Sequence, residues 1–192
     1  MVSPKKNSSA KQRIIETAER LFYAHGLRAV GIDRIIAEAG VAKMTLYNHF
    51  ASKDDLILAV LEYREGEFAA FLESKMATYV KQGESRIDAF FSTLKEWFES
   101  PGFRGCSFIN AAVELAEPNH PAAAFAKKHK EQFRQQMVEI ITKSVGPSGA
   151  KMAPAVSLLV EGAIITSTID GNPDAAQIAC EGAKALIGAA QV

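Results

Sequence analysis

Six side chains between positions 43 and 49 hold the densest chemistry in this sequence: Lys43, Met44, Thr45, Tyr47, Asn48 and His49. A cation, two hydroxyls, a carboxamide, an imidazole and a thioether suit contact with phosphates and with the edges and methyl groups of bases. Leu46 and Phe50, one helical turn apart, mark the opposite side of the same segment as buried. Reaction chemistry has no comparable cluster. The four histidines (His25, His49, His120, His129) and the two cysteines (Cys106, Cys180) fall at no catalytic or metal-ligand spacing, and no glycine-rich phosphate loop is present. The expectation is a protein that binds rather than one that catalyses, with no metal and no cofactor.

The elements that must position those side chains lie in residues 31–53. A first short helix carries Ile32, Ile35, Ile36 and Ala39 on one face, and Gly40 follows where a helix C-terminus favours positive φ. A second spans about 42–50. The pair reads as a helix-turn-helix whose second helix is dressed for a DNA groove. An earlier helix, opened by Ser9 with Gln12 three positions on and stopped by Gly26, carries Ile14, Ala18, Leu21, Phe22 and His25 as the lid of this three-helix core.

The stretch RIIAEAGVAKMTLYNHFASKDDL resembles the signature of the TetR family of bacterial transcriptional regulators. The matching features are Ala39-Gly40-Val41, Thr45-Leu46-Tyr47, His49-Phe50, and Ser52-Lys53 with Leu56 close behind. The segment from Arg104-Gly105-Cys106 through Asn110 and Glu114 to His120-Pro121 also resembles a subset of such regulators. The similarity implies that Lys43, Met44, Thr45, Tyr47, Asn48 and His49 lie at the groove. Lys43 would reach a guanine edge or a phosphate, Met44 and Thr45 a thymine methyl, and Asn48 an adenine. Tyr47 and His49 would bond phosphates and fix the docking angle, with Lys53 as a further phosphate clamp. One departure stands out. Relatives often carry Ser or Thr where this chain has Gly31, so only the backbone N–H groups of Gly31 and Ile32 remain for a phosphate there. Asp33 either accepts from a cytosine amino group or simply favours the helix dipole.

The rest of the chain reads as all-α, about nine helices in total, with no strand pattern and no repeat. Ser52 and Asp55 cap a long helix of about 53–79, the natural mechanical link to the body. Helices follow over the aromatic run Ile87 to Phe98, over about 104–116, and from Pro121 to about Val145 with a solvated face of Lys127, Lys128, Lys130 and Glu131. Two helices rich in small residues close the chain at 150–169 and 174–190, separated by Gly171 and with Asn172 as cap of the second. Their small residues allow close approach, either to each other or, as we prefer, to a second copy in a homodimer.

Residues 1–53 hold nine Lys/Arg against four Asp/Glu, and the remainder thirteen against eighteen, so a zero net charge hides a basic head on an acidic body. We expect residues 1–53 to form the DNA-binding domain and 54–192 the effector-binding and dimerisation domain. Lys5, Lys6 and Lys11 are further cations near the head. No run of about 18 apolar residues is apparent and the N-terminus lacks an apolar leader, so a cytoplasmic protein without a membrane span is expected.

Family resemblance places a small-molecule effector in the body. Phe68, Phe71, Trp97, Phe98, Phe103, Phe108 and Phe125 are the apolar candidates, with Asn110 and Glu114 as polar groups. Each aromatic also serves as plain core, and Asn110 and Glu114 as a cap or surface pair. The function expected is a repressor that binds a palindromic double-stranded operator as a homodimer and is released by its effector. Two alternatives stand beside it: a thiol-responsive regulator using Cys106, and a helical interaction module that no longer binds DNA.

Overall fold

Local capping chemistry sets several of the helix boundaries. A computed structural model describes residues 9–115 and 120–190. Among them are ten helices and no strand: α1 (Ala10–His25), α2 (Ile32–Ala39), α3 (Lys43–His49), α4 (Lys53–Lys81), α5 (Arg86–Phe98), α6 (Ser107–Leu115), α7 (Pro121–Val145), α8 (Pro147–Ala150), α9 (Ala153–Asp170) and α10 (Ala175–Ala189). The one-turn α8, after Gly146, is the helix that the sequence reading lacks. Ser9 Oγ accepts the Gln12 amide at 3.2 Å, but the Gln12 side chain bonds Glu16 rather than closing a reciprocal box. The box at Ser52 is complete: the Asp55 amide donates to Ser52 Oγ at 3.1 Å and the Ser52 amide to Asp55 Oδ2 at 3.0 Å. Asn172 accepts from the Asp174 amide, so it forms a turn ahead of α10 instead of capping it. Lys5 and Lys6 lie outside the described residues.

The chain divides into two compact units. The first takes residues up to 67 together with 106–128. Its core is Ile14, Ala18, Leu21 and Phe22 of α1, Ile35 of α2, Leu46 of α3 with Phe50, and Leu56, Ile57, Val60 and Leu61 of α4. Phe108, Ala111 and Leu115 of α6 are buried too. Val30, between α1 and α2, is fully buried, a core residue that helical periodicity did not reveal. Two expectations need correction. His25 is exposed and meets Arg34 at 3.2 Å, because the apolar stripe of α1 ends one turn earlier. Ile32 and Ile36 are only half-buried.

The second unit takes 68–105 and 129–192. α5 supplies Phe90, Phe91, Leu94 and Trp97, and α10 packs on both α9 and α5. α9 and α10 approach closely: a Cβ on Gly182 would lie 3.2 Å from Leu159 Cδ1. α9 is 18 residues long with mean hydropathy 1.3, long and apolar enough by those measures to cross a membrane, which corrects the expectation that no such stretch exists. It nevertheless carries Glu161, paired with Lys130 at 2.7 Å, and buried Ser157, whose hydroxyl donates to the Ala153 carbonyl. These features and its packing on α10 are those of a core helix. Lys130 is correspondingly half-buried rather than part of a solvated face.

Because the Ser52 box ties the start of α4 to the turn that follows α3, Ser52→Ala is expected to cost about 1 kcal/mol of stability. The chemical-denaturation midpoint measures it, and an unchanged midpoint would show the cap to be idle.

Candidate nucleic-acid interface

α2 ends on Gly40, whose φ of 62° turns the chain into Val41 and Ala42. Thr45 and Leu46 amides return to the Ala42 carbonyl, starting α3 within two residues of that turn. Leu46 is fully buried and fixes α3 by its inner face. The outer face is open: Met44 is 68% exposed and Tyr47 41%, and Lys43, Asn48 and His49 are exposed as well, whereas Thr45 is half-buried. Five of the six side chains singled out in the sequence therefore share an accessible surface.

Charges around this surface are partly engaged. Lys43 Nζ lies 3.7 Å from Asp33 Oδ1, both side chains exposed, so Asp33 reaches toward α3. Glu38 bridges Arg20 at 2.6 Å and Arg34 at 2.9 Å, and those two guanidinium groups hold its carboxyl below the usual range. Lys53 is turned inward, its ammonium 5.8 Å from the centroid of the Phe22 ring. Burial pushes the Lys53 pKa down, against the opposing pull of Asp54 and Glu114. Gly31 is exposed, takes extended φ and ψ of −82° and 155°, and gives α2 no side-chain cap.

Two long-range contacts behind this surface had no local signal in the sequence. Glu114 Oε2 accepts the Leu27 amide at 2.6 Å. His120, buried, accepts the Ala122 amide on Nδ1 and places Nε2 3.5 Å from Asp54 at the start of α4. Between α1, α4 and α6 lies a cleft of about 30 Å³ beside Tyr23, Arg64, Asn110 and Glu114. That volume has room for a water or two.

The nine effector candidates fall in two groups. Phe68, Phe71, Trp97, Phe98 and Phe103 cluster in the second unit, with Trp97 4.8 Å from Phe68 and 5.0 Å from Phe103, ring centre to ring centre. Phe108 stacks on Phe125 at 6.1 Å in the first unit, where Asn110 and Glu114 also lie.

The family model for bacterial regulatory proteins of the tetR family matches residues 14–60, which take in most of α1, all of α2 and α3, and the start of α4. A crystal structure of a TetR-family transcriptional regulator from Streptomyces coelicolor is 30% identical, aligned over 95% of this chain and 96% of that one with a TM-score of 0.77. The chain belongs to the TetR family of bacterial transcriptional regulators. A second TetR-type regulator, from Streptomyces avermitilis, is 26% identical over 96% of this chain and all of its own, again at TM-score 0.77. Among curated relatives, the transcriptional repressor ComR of Escherichia coli is 30% identical over 62% of this chain and 58% of its own length. The transcriptional activator FasR of Mycolicibacterium smegmatis is 30% identical over 70% of this chain and 59% of its own. The chain thus matches somewhat over half the length of these two relatives.

A Cβ built on Gly31 meets nothing within 4 Å, and its backbone already has the extended geometry of an N-cap. Gly31→Ser should therefore raise stability by about a few tenths of a kcal/mol. Paired denaturation curves test this, and a loss of stability would mean the hydroxyl does not reach the α2 amides.

Proposed function

We propose that this TetR-family regulator is a repressor that binds a palindromic operator as a homodimer and is released by a small-molecule effector. Its nine DNA-contacting positions would be Gly31, Asp33, Lys43, Met44, Thr45, Tyr47, Asn48, His49 and Lys53. The observation that carries the reading is the open face of α3, with Lys43, Met44, Tyr47, Asn48 and His49 exposed around one buried anchor, Leu46. Repression is the commoner mode in the family. Acting on an operator implies a cytoplasmic protein. Lys53 enters on the condition that its half-buried ammonium swings off Phe22 toward a phosphate.

Homodimerisation is supported by α9 and α10. Leu158 (73% exposed), Ile165 and Ile169 (76%) recur on α9 at helical spacing, and Ile178 (67%) stands exposed on α10. Exposed apolar side chains at this density favour a partner surface, and a two-fold dimer sets one patch on its own copy. Such a dimer would hold two α3 helices roughly 34–36 Å apart, one turn of DNA.

We place the functional division at residue 53, with 54–192 binding effector and dimerising, although 106–128 pack in the same unit as the reading helices. The aromatic cluster around Trp97 is the preferred effector-contact region, for an apolar or aromatic ligand. Phe108, Phe125, Asn110 and Glu114 come second. An effector that fits a different spacing of the reading helices would weaken operator binding by its differential affinity. The thiol alternative is less favoured because Cys106 is buried, 7% exposed.

Alanine at Lys43 or at Tyr47 should each cost about 1–3 kcal/mol of operator binding, read by gel shift on the DNA upstream of its own gene. Undiminished binding by both variants would remove α3 from the groove. Ile169→Glu is expected to yield monomers in sedimentation, and a dimer that persists would place the interface elsewhere.

A further inference from the structure

The turn between α1 and α2 is bonded to the last turn of α6 by groups about 87 positions away. Gly26 closes α1 with its own amide on the Phe22 carbonyl, but its φ of 92° and ψ of 154° do not return the chain to the helix as a left-handed cap would. The next two amides, of Leu27 and Arg28, instead donate to Glu114 Oε2 at 2.6 and 3.3 Å. In return, Arg28 Nη2 donates to the Leu115 carbonyl at 3.0 Å. The exchange is reciprocal: α6 gives a carboxylate to two N–H groups, and the turn gives a cation to the Leu115 carbonyl.

Two facts indicate that the contact is shaped for this purpose. A carboxylate in the last turn of a helix faces the negative end of the helix dipole, an unfavourable place without compensating donors. Glu114 has such donors in the Leu27 and Arg28 amides. Gly26 also leaves space for it, since a Cβ there would lie 2.9 Å from Glu114 Oε2. The bonded turn is anchored into the core by Leu27 and Val30, and α2 begins two residues beyond Val30.

We infer that Glu114 is a positioning residue for DNA reading: through the clasp Glu114–Leu27/Arg28 and Arg28–Leu115 it sets the orientation of α2 and α3. It touches no DNA itself. The inference rests on the reading of DNA by α3 proposed above, and it gives Glu114 a task in the protein's DNA-reading state, apart from any effector contact.

Electrostatics gives the test a sign. Removing a carboxylate from a DNA-binding protein should, by charge alone, strengthen binding to a polyanion. The clasp predicts the opposite for Glu114→Leu, which keeps bulk but offers no acceptor. Glu114→Gln loses the same charge and keeps an amide oxygen that accepts N–H groups. The probe is a duplex selected by the wild-type protein from randomised DNA. Expected is about a tenfold loss of affinity for Glu114→Leu, wild-type or tighter binding for Glu114→Gln, and an unchanged slope of affinity against salt for both. Hydrogen exchange should quicken at the Leu27 and Arg28 amides in Glu114→Leu and stay slow in Glu114→Gln.

Should Glu114→Leu fail to fold, Arg28→Ala breaks the reciprocal half at an exposed residue. It should weaken binding without reducing the salt slope, whereas a lost phosphate contact would reduce it by about one. Glu114→Leu binding as tightly as the wild type, or Glu114→Gln weakened equally, would overturn the inference. Tyr47→Ala measured in parallel separates the two readings: if it binds normally, the docking of α3 has failed, and if it alone is weakened, the clasp has failed.

Discussion

A seven-residue helix does not persist in water on its own, since isolated helices below about 12–15 residues are marginal, and α3 has seven residues. Its existence depends on tertiary anchoring through Leu46, the one fully buried side chain it has, with Phe50 immediately after it. That dependence frees the remaining positions. With a single residue holding the helix, the other faces can carry polar and aromatic groups with no cost to the core. The first unit can be understood as the support this arrangement requires. α1 provides Ile14, Leu21 and Phe22, α2 provides Ile35, and α4 provides Leu56 and Ile57.

Charge follows a similar logic. The basic balance of residues 1–53 reads as a field directed at a polyanion, yet several of those cations have internal work. Arg20 and Arg34 share Glu38, and Arg28 meets the carbonyl end of α6. Lys11 and Lys53 lie over aromatic rings. A net count adds these to Lys43 without distinction, although only some of them stand on the α3 face. Where a carboxylate sits beside a cation, as Glu38 does beside Arg20 and Arg34, the field of the pair falls off faster than that of a lone charge, and salt screens what is left beyond about 10 Å.

The features legible in the sequence were the local ones. Ser52 with Asp55, Gly40 and Pro121 mark helix ends because capping acts over three or four residues, so the signal and its effect lie in one window. The face of α3 was legible for the same reason: Leu46 and Phe50 define it by one turn of helix. What escaped was the partnership of distant segments. Nothing in residues 106–128 announces that they pack with α1 and α4, and the bonds of Glu114 to the Leu27 and Arg28 amides have no side-chain signature on the α1–α2 side. The aromatics are silent in the same way. Hydrophobicity shows that Trp97 and Phe108 want burial, but not that they lie in separate units.

The last two helices show how one inference can pass from one set of atoms to another. Their many small residues suit either each other or, the preferred expectation, a second copy. Instead Ala175, Ala176, Ala179 and Ala183 are buried, and Gly182 sits close against Leu159, so the small residues serve the approach of α10 to its neighbours within one chain. Close packing inside the unit leaves large side chains nowhere to go but outward, which is where Leu158, Ile169 and Ile178 stand. Water disfavours that surface in proportion to its apolar area. The case for self-association therefore moves from the small residues to the large ones. The two uses do not compete: the small residues bring the pair together, and that leaves its outer face free to be apolar.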